Sequence, residues 1–242
     1  MCKVTNLSIH TLWIKRKDAD EPKMTIIEMS AGCAAVATGI ALVVGEITSD
    51  AYTEVLAEEK IIMETERLVL RKWTEADADS LFEYAKNPEV GPVAGWPPHK
   101  SVEESKEVIR NVFNAPECYA ICEKENNIAI GAVELKLNGH TDMTQRDDEC
   151  ELGYWLGQPF WGKGYMPEAA RELLRHGFED LGMTTIWCGY YDGNQKSERV
   201  QQKLGFVFHH TCSEVPVPLL NEVRVEHTNI MTKKHWEEIC SH

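Results

Sequence analysis

From residue 63 onward, apolar and polar positions fall into short repeating patterns. Over 66–72, Leu68 and Leu70 alternate with Arg67, Val69 and Arg71, the two-residue period of a strand. Thr74 with Asp77 three residues on is a helix-start signal, and Ala78, Leu81, Phe82 and Ala85 share one face of the helix it opens. The Pro and Gly content of 91–98 forces a loop. Ser101 and Glu104 form a second capping box, for a helix reaching about residue 113. Strands are predicted over 119–123 and 128–137, joined by a turn at 124–127. The polar loop 138–148 leads to a strand over 151–156. After a Gly-rich turn, Ala169, Ala170, Leu173, Leu174, Phe178 and Leu181 recur at three- and four-residue steps, opposite Glu168, Arg171, Glu172, Arg175 and Glu179. Pro167 suits the first turn of this helix and Gly182 its end. A strand over 184–191 follows. Asn194 then caps a helix through Leu204, closed by Gly205, and strands over 206–209 and 223–231 complete the chain. Strands alternating with helices predict an α/β or α+β class with a mixed sheet.

Residues 1–62 read differently. Residues 29–45 carry no charge and are rich in Ala, Gly and Val, between Glu28 and Glu46. A spanning helix wants about 20 strongly apolar residues, which this run lacks. Ala35-Val-Ala37 has the small-x-small form of a cleavage site, yet a signal peptide would place its apolar region nearer the start and ahead of that triplet. The segment reads as an extension holding a buried or loosely packed helix: a fused leader, or an over-long start to a protein beginning at Met63. Lys15-Arg-Lys17 reads as a solvated turn. The expected organisation is an extension over 1–62 and one domain over 63–242.

Composition narrows the function. Of 242 residues, 43% are apolar and 26% charged, a globular balance that excludes collagen-like, coiled-coil and mostly disordered chains. A net charge of −14 repels phosphate backbones, so no direct nucleic-acid partner is expected, and a cationic partner is favoured. None of the 8 cysteines forms a C-x-x-C pair and no zinc spacing is present. They read as reduced residues of a cytoplasmic protein with no metal and no membrane partner.

The chemical centre is the turn Gly157-Gln-Pro-Phe-Trp-Gly-Lys-Gly164 between a strand and a helix. Glycines admit a ligand close to the backbone, and a helix start presents unpaired N–H groups, so the unit suits a pyrophosphate. It is not a dinucleotide fingerprint, because Pro167 stands at the third glycine. It is nearly a Walker A loop, but Gly164 replaces the hydroxyl residue that anchors Mg²⁺. A nucleotide-binding protein and a plain structural turn stay open on this loop alone.

Glu151-Leu-Gly-Tyr-Trp-Leu-Gly followed by Phe160-Trp-Gly-Lys-Gly-Tyr-Met-Pro-Glu-Ala resembles the acetyl-CoA-binding motif of the GNAT acyltransferase superfamily, closest to its RimJ/RimL-like branch of ribosomal-protein N-terminal acetyltransferases. Met63-Glu-Thr-Glu-Arg-Leu-Val-Leu-Arg is similar to that branch's opening strand, and Asn194-Gln-Lys-Ser-Glu-Arg-Val-Gln-Gln-Lys-Leu-Gly-Phe to its second cofactor motif. The resemblance covers Met63 to about Glu238. It implies a central mixed, mostly antiparallel twisted sheet flanked by helices and splayed at the cofactor-binding strands. It implies acetyl-CoA as co-substrate, with Trp155, Leu156, Trp161, Gly162, Lys163, Gly164, Tyr165, Met166, Asn194 and Ser197 as its binding residues. Trp161 and Met166 depart from the family's usual Gln or Arg and Gly or Ala, which removes one side-chain contact and leaves the backbone cradle. The implied reaction is direct transfer of acetyl to a primary amine, on a protein N-terminus or a small molecule. Glu151 is the first candidate for general base and Glu134 the second, and Ser197 is the proton partner of the leaving thiolate. Trp96, His99, Trp155 and Tyr191 are candidates for the acceptor pocket. The oligomeric state is open, a homodimer included. A non-catalytic acyl-CoA-binding module is the alternative from another class.

Overall fold

The computed structural model describes residues 10–13, 25–28 and 63–241. The chain divides into two compact units, Met1–Glu58 and Glu59–His242. In the first, β1 (His10–Trp13) and β2 (Thr25–Glu28) pair antiparallel. The helix expected within 29–45, the basic turn at 15–17, Cys2 and Cys33 lie outside the described residues.

The second unit is built on eight strands: β3 (Met63–Glu64), β4 (Leu68–Arg71), β5 (Cys118–Glu123), β6 (Ala129–Lys136), β7 (Glu149–Leu156), β8 (Thr185–Tyr191), β9 (Val207–Val217) and β10 (Glu222–Thr232). Their order across the sheet is β3-β4-β5-β6-β7-β8-β10-β9. Every neighbouring pair is antiparallel except β7 and β8. Parallel neighbours need a crossover, and α3 (Tyr165–Arg175) supplies it. The other helices are α1 (Ala78–Ala85), α2 (Val102–Asn111), α4 (Gln195–Leu204) and α5 (Lys233–Cys240).

Strand alternation sorts the core into two layers. Leu68, Leu70, Tyr119, Ile121, Val133, Leu135, Leu152 and Leu156 face α3, α4 and α5 and pack on Ala169, Leu173, Leu174, Phe178, Leu204 and Trp236. Ala120, Cys122, Ala132 and Trp155 face α1 and α2 and pack on Trp73, Ala78, Leu81, Ala85 and Ile109. Cys118, Cys122, Cys150 and Cys188 are buried thiols, and Cys212 and Cys240 are exposed ones.

The local signals hold well in the capped segments. Asp77 accepts from the Thr74 backbone N–H and hydroxyl, both at 2.9 Å. Glu104 N–H donates to Ser101 Oγ at 3.1 Å. Gly182 and Gly205 take the left-handed conformation that ends their helices, at φ 72° and 89°. Differences appear where distant contacts decide. β7 starts two residues early because Glu149 and Cys150 pair with β8. β9 runs to Val217, well past the expected 206–209, whereas β10 exceeds the expected 223–231 by one residue at each end. α5, absent from the local pattern, buries Trp236 against Phe178, with rings stacked at 5.7 Å. Beyond Arg175, α3 widens into one π-turn over His176–Asp180. There His176 bridges Glu117 Oε2 at 3.0 Å and Asp180 Oδ2 at 2.9 Å, and Tyr119 OH donates to Glu117 at 2.7 Å.

Candidate active site

β7 and β8 pair only over Glu149–Glu151 and Thr185–Trp187. Beyond that point β7 stays bonded to β6 as far as Leu156, and β8 to β10 as far as Tyr191. The sheet therefore opens between 152–156 and 188–191. Gly157 N–H donates to the Ile130 carbonyl at 2.8 Å. In that antiparallel register Tyr154 and Leu156 are non-hydrogen-bonded positions toward β6, so their main-chain groups turn to the gap. Trp161 Nε1 donates to the Leu156 carbonyl at 2.7 Å, so the departure at Trp161 brings a contact of its own. The gap belongs to a cavity of about 760 Å³ that reaches Gly162, Gly164, Tyr165 and Met166 at one end and Glu134, Glu151 and Glu226 at the other.

The Gly162 and Gly164 end is made of main chain. Both glycines have positive φ, 78° and 82°, which other residues adopt only under strain. The first bond of α3 runs from Glu168 N–H to the Gly164 carbonyl at 3.2 Å, so the amides of Gly164, Tyr165 and Met166 have no intrahelical acceptor. A Cβ at Gly162 would meet nothing within 4 Å, and one at Gly164 only Arg67, at 3.5 Å. The Met166 side chain is buried in the core, which leaves its amide as the polar group it offers at the helix start. Arg67 braces the turn. Its Nη1 donates to the Lys163 carbonyl at 3.0 Å, its Nε to Glu168 Oε2 at 2.7 Å, and its guanidinium lies 4.5 Å over the Tyr165 ring. Burial pushes the Glu168 carboxyl up, but hydrogen bonds from Thr65 and Arg67 outweigh it and hold the group below its ordinary range. Lys163 is exposed, with Nζ 5.1 Å over the Phe160 ring. Lys196, Arg199 and Lys203 of α4, at helical spacing, line the cavity. Among the described residues none of the three has an ion-pair partner, and Lys196 Nζ sits 3.8 Å over the Trp161 ring.

Ser197 lies on the opposite wall in the first turn of α4. Asn194 caps that turn, accepting from Ser197 N–H at 3.2 Å, and donates to the Val93 carbonyl at 3.3 Å. The Ser197 hydroxyl meets Tyr154 OH at 2.9 Å and accepts from Gln201 Nε2 at 3.2 Å. Gln201 is fully buried, donates to the Gly189 carbonyl at 3.1 Å and accepts from Asn229 Nδ2 at 2.7 Å. Burial drives the Tyr154 phenol well above its ordinary range, so it stays protonated at neutral pH.

On the face toward α1 and α2 the wall is acidic. Glu151 is 9% exposed, and both its oxygens are taken: Oε1 by Lys136 Nζ at 2.7 Å and Oε2 by Thr141 Oγ1 at 2.5 Å. Glu134 lies 3.9 Å from Lys136. Burial, then the Glu151 charge, push the Glu134 carboxyl up against the pull of Lys136. Burial lowers Lys136, but Glu151 and Glu134 outweigh it and keep the ammonium above its ordinary range. Trp155 has its ring 5.8 Å from Trp96, which lies 5.5 Å from His99, and all three line the cavity with Tyr191. Burial lowers His99, whose Nδ1 meets Ser105 Oγ at 2.8 Å. Glu226 of β10 completes the wall. It escaped sequence reading because nothing marks it within a long polar strand. The α4 stripe had a legible signal, its three- and four-residue spacing beside Asn194. Among the described residues no group of three or more His, Cys, Asp or Glu could hold a metal ion. No helix among them is long and apolar enough to cross a membrane.

A family model described as acetyltransferase (GNAT) domain matches residues 67–207. The chain is 31% identical over 147 residues to the uncharacterized N-acetyltransferase p20 of Bacillus licheniformis, covering 59% of this chain and 80% of that one. It is 31% identical over 94 residues to the FsC-acetyl coenzyme A-N(2)-transacetylase of Aspergillus fumigatus, covering 38% and 39%. In fold it is similar to a GNAT-family acetyltransferase of Bacillus anthracis, with TM-score 0.62, 21% identity and coverage of 72% and 99%. It is also similar to the ribosomal-protein-S5-alanine acetyltransferase of Vibrio fischeri, with TM-score 0.58, 20% identity and coverage of 73% and 98%. The family model spans more than half of the chain, and the chain belongs to the GNAT acetyltransferase family.

Proposed function

We propose that this acyltransferase moves acetyl from acetyl-CoA to a primary amine, on a protein N-terminus or a small molecule, by direct attack within a ternary complex. The observation that carries this reading is one continuous cavity joining the amide cradle, the Ser197 hydroxyl and the acidic wall through the gap between β7 and β8. The cradle fits a diphosphate: open space beside Gly162, amides ahead of the first bond of α3, and a helix N-terminus. The amides ahead of the first bond of α3, from Gly162 to Met166, hold that group, while the Trp161 N–H is donated to the Gln158 carbonyl at 3.1 Å. Lys196, Arg199 and Lys203 draw the remaining phosphate charge. Main-chain groups of Tyr154 and Leu156 hydrogen-bond the pantetheine arm as an added strand would. When bound, acetyl-CoA supplies a thioester carbonyl as electrophile.

Ser197 protonates the departing sulfur, and Tyr154 and Gln201 orient its hydroxyl. The wall holds three carboxylates, Glu134, Glu151 and Glu226, against one ammonium, Lys136, which favours a cationic acceptor. A lysine-like amine has a pKa of about 10.4 and must lose a proton before it attacks. A carboxylate that removes it is typically worth about 10²–10⁴ in rate. Glu151, the first candidate from sequence, sets the charge of this wall through Lys136. Thiol release from acetyl-CoA, measured with a panel of peptide N-termini and small amines, tests the reading. Binding of acetyl-CoA with no release above background for any acceptor would leave only an acyl-CoA-binding module.

A further inference from the structure

Gly153 of β7 and Gly189 of β8 leave bare backbone on the two sides of the gap, on the face that carries Glu151. A carboxylate folds over each from the outer neighbouring strand. A Cβ on Gly153 would lie 2.8 Å from Glu134 Oε1, and one on Gly189 2.8 Å from Glu226 Oε1. The two carboxylates differ in what surrounds them. Glu134 shares Lys136 with Glu151, whose oxygens are both bonded. The Glu226 carboxylate has no hydrogen-bond or ion-pair partner among the described residues, and the residue lines the cavity.

Resting on the acetyl-transfer reading, we propose that Glu226, and not Glu151, is the catalytic base that takes the proton from the acceptor amine at the mouth of the gap. A base needs an oxygen open to the acceptor, and of the three wall carboxylates only Glu226 keeps both oxygens unengaged. Its surroundings also tune it. Burial first, then the negative charges of Glu151 on β7 and Asp142 in the 137–148 loop, push its carboxyl up to about 7, against the pull of Lys136 on β6. Tyr191 of β8 and Cys212 of β9 stand opposite it across the ladder, and Arg224 is two residues before it on β10. A base poised near neutrality removes a proton efficiently while remaining largely ionised just above it.

The proton balance is closed. An ammonium loses two protons on becoming an amide. Glu226 takes the first and returns it to solvent, which frees the nitrogen lone pair. The second leaves the nitrogen as the C–N bond forms and the C–S bond breaks, and by way of water it replaces the proton that Ser197 has given to sulfur.

The test compares wild type, Glu226→Gln and Glu151→Gln. Three readouts are the pH profile of kcat/KM for one small amine, acetyl-CoA affinity by calorimetry, and carboxyl titration of the ligand-free protein by difference infrared spectroscopy. The expected wild-type profile rises with pH to a plateau, with an apparent pKa near 7. The ligand-free protein shows a carboxyl titrating at the same pH, and that signal is missing in Glu226→Gln. Glu226→Gln lowers the plateau by about 10²–10⁴-fold and removes the rising limb, with acetyl-CoA affinity within about two-fold of wild type. Glu151→Gln keeps a limb, displaced to lower pH by removal of a neighbouring negative charge. A Glu226→Gln protein with wild-type rate and limb, or a limb lost in Glu151→Gln instead, overturns the assignment to Glu226 while acetyl transfer stands. A wild-type protein that binds acetyl-CoA but acetylates no amine overturns both.

Discussion

The two ends of the cavity are made of different material. The end proposed for the phosphates is one continuous stretch, 162–166, held by positive-φ glycines and a helix start, and the groups it offers are amides. The end proposed for the acceptor draws Glu134, Glu151 and Glu226 from three strands of the same sheet. The first is indifferent to most side-chain identities. It tolerates Trp161 and Met166, one turning its indole onto the Leu156 carbonyl and the other its side chain into the core. The second depends on each side chain and on the partner of each. A cradle of amides suits a co-substrate common to a whole family, and a wall of side chains suits an acceptor that changes from member to member.

This contrast can be broken most severely at Gly164. Gly164→Glu puts a side chain at φ 82° and a carboxylate where phosphate charge belongs. Calorimetry should register acetyl-CoA affinity at least about 100-fold weaker. Unchanged affinity would move the phosphate site elsewhere. Ser197→Ala sharpens the contrast from the far side of the gap. It should lower kcat by about 10–100-fold with acetyl-CoA affinity within about two-fold, because a proton donor to the leaving group acts late. A smaller effect is expected at the rim. Replacing Lys196, Arg199 and Lys203 together by Ala should weaken acetyl-CoA binding by about ten-fold at low salt, with the deficit shrinking as salt rises. A loss independent of salt would argue against an electrostatic role for the stripe.

The smallest effect concerns the far end of α3, whose start forms the cradle. Hydrogen bonds from His176 to Glu117, then to Asp180, hold the imidazole above its ordinary pKa despite burial. Glu117 is held below its ordinary range because His176 and Tyr119 outweigh its burial, and Asp180 is held low by Arg175 and then His176. A raised histidine pKa stabilises the fold fully below about 6.5 and loses that contribution as pH climbs through the folded value. The lowered carboxylates contribute above their ordinary range and lose it as pH falls. The cluster is therefore strongest between those limits. His176→Leu should cost about 1–3 kcal/mol near pH 6. The gap in melting temperature between wild type and variant should narrow from pH 6.5 upward. A constant gap across that interval would show that His176 acts by packing alone.

The cradle was legible because everything that makes it lies within a few residues. The glycines, Pro167 and the helical periodicity that follows are nearest-neighbour matters, as are the caps at Asn194, Ser101 and Thr74. The acceptor wall was only half legible. Glu134 and Glu151 sit on strands with clear patterns, and nothing local says that Lys136 and Thr141 would occupy both oxygens of Glu151. Glu226 was invisible, since its place follows from β10 entering the sheet between β8 and β9.

What the chain determines alone is therefore most of the elements, the turn chemistry between them and the family-level motifs, all encoded by periodicity, caps and backbone freedom over short spans. Tertiary structure decided the opening of the sheet. β7 follows β6 and β8 follows β10, so the two part after Glu151 and Trp187. It also decided α5, whose Trp236 gains its place only against Phe178. Pairing between strands tens of residues apart is settled by which neighbours compete for the same backbone groups, and no short window of sequence contains that competition.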